Sequence, residues 1–176
     1  MPHKPSTIEI SEEKWIEAKH IIKNGIIKKI SAAKQNIDID IDIAAGIYIF
    51  ALEEFGKLLL LKESKAVDKK YIITYRDGFV DHSFKFSKAF DYLQKNGYSE
   101  CIVLNNEGGF SPNFSWKGFN IGLLAQTEAR LGIFYVDFTK SENDNYDLMK
   151  VPQVDENKLK IAINKLEEVI NTFELR

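Results

Sequence analysis

The chain has 176 residues, 44% of them hydrophobic, with 24 basic and 26 acidic side chains and a formal net charge of −2. That is enough for one ordinary globular core, and it lacks the basic excess by which a nucleic-acid binder usually shows itself, so any such role needs a local patch. A single cysteine, Cys101, excludes an internal disulfide, and histidines scattered at positions 3, 20 and 82 cannot complete a zinc site with it. This cysteine usage suits a reducing compartment, and the opening MPHKPSTIEI has no apolar core of signal-peptide type, so a cytoplasmic location is expected.

Ser11 followed by EEKW predicts a helix start, with serine as N-cap and acids in the first turn. From there Trp15, Ala18, Ile22, Ile26 and Ile30 recur every three or four residues on one helical face, and lysines 19, 23, 28, 29 and 34 decorate the rest. The stretch NIDIDID (36–42) alternates as a strand would. It is short, however, and leads straight into AAGIYIFALEEFGKLLLL (44–61), so it reads as a connection and the first turn of a second helix that ends near Lys65. The apolar run approaches membrane-spanning length, yet Glu53, Glu54 and Lys57 sit in its middle. Charges there cost roughly 2.5–3.5 kcal/mol each on insertion scales. The expectation is a buried bundle helix, apolar nearly all round, and no membrane.

A third helix is predicted over 77–96, stopped by Gly97, with Phe79, Phe86, Ala89, Phe90 and Leu93 as its apolar stripe. The turn-rich NNEGGFSPNFSW (105–116) is expected to be a surface loop. A fourth helix follows over about 117–131, ended by Gly132, and IFYVDF (133–138) reads as an extended segment. A second surface loop (139–152) then leads to a last helix over 155–173, with Leu159, Ile163, Leu166 and Ile170 on one face. Together these predict one domain over 1–176: an all-α bundle of about five helices with one short extended segment.

The charges inside helix two need partners. Glu54 shares a stripe with Ile47, Ala51, Leu58 and Leu61, so it is expected to point inward; Glu53 shares another with Phe50, Lys57 and Leu60 and is placed to pair with Lys57 at i,i+4. One lysine cannot satisfy two inward carboxylates, so further cations must come from neighbouring helices. YRDGFVDHSFKF (75–86) offers them: His82 interrupts the apolar stripe and is expected to face the core, with Lys85 on the adjoining face. A helix starting near Asp77 would leave Arg76 on the preceding turn, free to reach across. Arg130, Tyr135 and Asp137 bracket the same region from the far end of the chain. The chain holds a single Glu-x-x-His, Glu17 to His20, where a di-iron bundle needs one on each of two helices, and Lys57 and Lys85 would repel a cation, so neither a metal nor a cofactor is expected. From spacing alone two readings stay open: a catalytic or ligand-binding site, or a polar core that sets helix register.

FALEEFGKLLLL, then FVDHSFKF, then ARLGIFYVDF…VP, in this order within residues 10–170, resemble the AbiV family of abortive-infection proteins, a branch of the HEPN superfamily. The resemblance implies a HEPN-like helical bundle, usually a homodimer, with a role in phage defence that stops host translation on infection. Many HEPN proteins are metal-independent ribonucleases with an R-x4–6-H motif, their sites formed where two protomers meet. Arg76 and His82, separated by DGFVD, fit that motif. On this reading RNA is the substrate, and a phage-encoded activator or a host translation component is the partner. Imidazole can take the proton of a ribose 2′-hydroxyl or protonate the leaving 5′-oxygen, and a guanidinium can hold the phosphate. Those roles fall to His82 and Arg76, with Lys85 as a second cation and Glu53 or Glu54 orienting His82 or Lys85. The alternative is a non-enzymatic helical module that binds a phage or host protein to block translation.

Overall fold

The computed structural model describes residues 7–68, 70–74, 79–102, 115–116, 119–120, 138–140, 146–148 and 154–174. A strand, β1 (Thr7–Ser11), runs directly into α1 (Glu12–Asn36), and the Ser11 hydroxyl accepts from the Lys14 amide at 3.3 Å, capping the helix as its position predicts. Asp40 does the same for α2 (Ile41–Glu63), its carboxylate accepting from the Asp42 and Ile43 amides at 3.0 Å. Of the alternating acids, Asp40 is therefore the cap, Asp42 lies in the first turn of the helix and Asp38 pairs with Lys160 at 3.1 Å; none is a strand residue. The short link between α1 and α2 folds them into a helical hairpin.

α2 is the central element, apolar on almost every side, and Ala44, Tyr48, Ala51, Phe55 and Leu58 are fully buried. Its few open positions run along one stripe through Ile43, Phe50, Glu54 and Lys57. Around it pack α1, α3 (His82–Lys95) and α4 (Glu156–Thr172). α4 buries Leu159, Ile163, Leu166 and Ile170, the face expected from their spacing, and Asp155 caps it by accepting from the Lys158 amide at 2.9 Å. Gly97, at φ +79°, ends α3 in the left-handed region, and the chain returns through a 3-10 turn at Ser99–Ile102.

The architecture is mostly helical, as expected, with four α-helices among the described residues. The sequence did not announce its sheet. β2 (Lys65–Val67) and β3 (Lys70–Thr74) pair antiparallel around Asp68, and β1 pairs antiparallel with the other edge of β3, giving the order β1-β3-β2. One face of this sheet closes a small second core over Trp15, Leu61 and Ile73. Trp15 donates its indole N–H to the Leu61 carbonyl and the Ser64 hydroxyl, both at 2.8 Å, while Tyr71 stacks on its ring at 4.0 Å.

Three boundaries differ from expectation. α3 begins at His82, not Asp77, because Asp81 takes the N-cap position and accepts from the Phe84 amide at 2.9 Å. The helix expected from residue 117 does not start there, since β5 (Phe119–Asn120) pairs with β4 (Ser115–Trp116); residues 121–131 lie outside the described ones. Phe138 opens β6 (Phe138–Lys140), which pairs with β7 (Tyr146–Leu148), so a hairpin occupies part of the stretch expected to be a loop. Among the described residues no helix is long and apolar enough to cross a membrane.

The core also sets a pH dependence. The Tyr48 hydroxyl donates to the Cys101 carbonyl at 2.6 Å and lies 3.1 Å from that of Ala162, joining α2, the 3-10 turn and α4. Burial pushes the Cys101 thiol up to about 12, with the Glu100 charge adding, and burial also drives the Tyr48 phenol well above its ordinary range. Both acids keep their protons in the fold at pH values where the unfolded chain releases them, near 8.5 for a thiol and 10 for a phenol by ordinary values of about that size. Their contribution to stability is thus complete below about pH 8.5 and is lost as pH rises toward 12, at up to about 1.4 kcal/mol per unit for each group. Urea midpoints should fall between pH 8.5 and 10.5, and Cys101→Ala should make that fall shallower.

Candidate functional site

α2 and α3 meet at Gly56, where the missing side chain lets the backbone of Lys85 come in close; a Cβ on Gly56 would overlap the Lys85 carbonyl. One turn back along α2 stands Glu53, and one turn back along α3 stands His82, its first residue. The close crossing brings these two together: His82 Nδ1 lies 2.7 Å from Glu53 Oε2. The carboxylate is 8% exposed and the imidazole 50% exposed, so an inner acid holds a ring that reaches the surface. Lys85, on the following turn of α3, is only 3% exposed.

The roles expected inside α2 are exchanged. Glu54, expected to point inward, shares the open stripe of α2 and pairs there with Lys57 at 2.7 Å, a spacing of i,i+3. Glu53 is the buried one, and its partner is His82 rather than Lys57. The reason is that α2 is buried nearly all round, so its apolar residues do not mark which side lies open. His82 does not face the core as expected, because the helix starts at it and places it at the mouth of the α2–α3 crossing. Farther along the same seam Lys88 meets Glu63 at 2.5 Å. Arg76, Arg130, Tyr135 and Asp137 lie outside the described residues.

Chemically, the Glu53–His82 pair is an oriented acid–base group. In the tautomer that donates Nδ1–H to the carboxylate, the lone pair sits on Nε2, and the carboxylate can stabilise an imidazolium formed there. Among the described residues no cluster of three or more His, Cys, Asp or Glu side chains could hold a metal ion.

One buried cation escaped the sequence reading. Lys19, grouped with the surface lysines of α1, is buried with its ammonium 3.1 Å from the Trp15 ring centroid. Tyr71 already stacks against that ring, and steric exclusion puts the two on opposite faces. Burial lowers the Lys19 pKa, and the Lys62 charge lowers it further. The signal was present in the i,i+4 spacing of Trp15 and Lys19, a geometry that suits a cation over an aromatic face.

No protein-family model matches this chain, and neither a curated protein nor a solved structure is significantly similar to it.

Proposed function

We propose that the chain is a metal-independent endoribonuclease of the HEPN type that acts in phage defence, in the manner of an AbiV protein, by cutting RNA and stopping host translation. The observation that carries this reading is the buried Glu53 carboxylate holding a half-exposed His82 imidazole at 2.7 Å. His82 would serve as the group that exchanges a proton with the ribose 2′-hydroxyl or the leaving 5′-oxygen, and Glu53 as its positioning residue. Arg76, six residues before His82 in the sequence, is assigned to the phosphate on the strength of the R-x5-H spacing, and Lys85 to a supporting positive charge. A homodimer, a cytoplasmic setting and a phage-encoded or host trigger belong to the same reading.

The test is cleavage of total cellular RNA by the purified protein in EDTA, with His82→Ala beside it at equal helicity by circular dichroism. Loss of a positioned proton-transfer group is expected to slow cleavage by about 10²–10⁴-fold. The products should carry 2′,3′-cyclic phosphates. A second reading, a non-enzymatic module that captures a phage or host protein, draws on Val80 and Phe84, each 46% exposed on either side of His82. That reading expects no cleavage by the wild type even at high RNA concentration.

A further inference from the structure

We infer that the groove between the C-terminal end of α2 and the β2–β3 hairpin is a nucleobase subsite serving the His82 centre. This rests on the ribonuclease reading for its choice of ligand, but the groove itself is independent of it. The cavity measures about 370 Å³ and is walled by Leu60, Val67, Ile72 and Phe79, with Glu63 and Ser64 at its polar end. Val67 is 51% exposed although apolar, so the wall it forms is open to a ligand.

Two adjacencies tie the groove to the proposed catalytic pair. Phe79 precedes His82 by three residues, one turn along the chain entering α3. Leu60 lies seven residues after Glu53 on the same side of α2, about 10 Å along the helix axis. A base seated in the groove would leave the flanking ribose and phosphate to bridge toward His82. The lining suits a flat, amphipathic ring. Aliphatic walls and the Phe79 ring would cover its faces, while the Glu63 carboxylate can accept from its edge. Lys88 engages Glu63 Oε2 at 2.5 Å, which offsets the negative charge that would otherwise repel RNA, and a carboxylate has acceptor capacity for more than one donor. Acceptance at that edge favours bases bearing an exocyclic amino group, guanine among them, so cytosine and adenine should bind better than uracil, which offers only its N3–H.

Short fluorescent 2′-O-methyl oligonucleotides of C, A and U test this by anisotropy, because they lack the 2′-hydroxyl that cleavage requires. The expected result is tighter binding of the C and A probes than of U, with Phe79→Ala and Val67→Glu each weakening the C probe about tenfold, within the usual worth of a stacked base. Val67→Glu places its charge at an exposed position, so it guards against loss of folding in Phe79→Ala. Unchanged affinity in a folded Val67→Glu, or no binding of any probe by the wild type, would overturn the subsite. Groove-dependent binding together with intact natural RNA would instead keep the subsite and remove the catalytic reading.

Discussion

Gly56→Ala should lower stability by about 2 kcal/mol, against the ordinary trend for glycine in a helix. Alanine at an interior helical position normally gains about 1 kcal/mol over glycine. Here the added Cβ would collide with the carbonyl oxygen, carbonyl carbon and Cα of Lys85. These are backbone atoms, which cannot swing aside as a side-chain tip does, so α3 would have to move bodily away from α2. Overpacking of this kind costs about 1–3 kcal/mol or more, and it outweighs the propensity gain. For a chain of this size each kcal/mol moves the melting temperature by about 2–4 °C, so a fall of about 4–8 °C is expected by calorimetry. Gly25 is the control. It also lies inside a helix, α1, but a Cβ there would meet only the Lys29 ammonium at 3.9 Å. Gly25→Ala should therefore stabilise by about 0.5–1 kcal/mol. If both variants move together, the tight α2–α3 crossing is not what Gly56 provides.

Glu53→Gln should cut RNA cleavage by at least about a hundredfold, or about 2.7 kcal/mol of transition-state free energy, while leaving the fold nearly as stable. The substitution keeps the size of a buried side chain and a hydrogen-bonding group beside His82 Nδ1, but removes the charge that would stabilise an imidazolium. An amide can also present its NH₂ to the ring and hold the other tautomer. If Glu53 acts through His82, the two effects are not additive: on a His82→Ala background, Glu53→Gln should change the residual rate by less than about twofold. The register-keeping role predicts the reverse pattern, a stability loss of about 1–3 kcal/mol from a broken buried hydrogen bond with cleavage unmoved. Urea titration and cleavage rates on the same four proteins separate the two.

The helices were legible where one face repeats. Trp15, Ile26 and Ile30 in α1, and Leu159, Ile163, Leu166 and Ile170 in α4, are buried where their spacing puts them, and Ser11 caps where its position predicts. α2 defeated the same method because it is apolar all round, and nothing in FALEEFGKLLLL distinguishes the open side from the closed one. The exchange of Glu53 and Glu54 follows from that. His82 was misplaced by a choice between two acids: Asp77 and Asp81 both suit an N-cap, and Asp81 takes the role. The sheet was illegible for another reason. TIEIS and KYIIT are five-residue segments whose meaning lies in their pairing with each other, a relation no local pattern carries.

That pairing also orders assembly in time. The α1–α2 hairpin joins neighbours through a short turn and can form early at little entropic cost. β1 must wait, because its partner β3 lies beyond both helices, and closing a long loop is repaid only once the two strands meet. The N-terminal strand is thus the latecomer of the described fold, docked onto a framework built without it. By the same logic it is expected to be the first part of the described fold to leave.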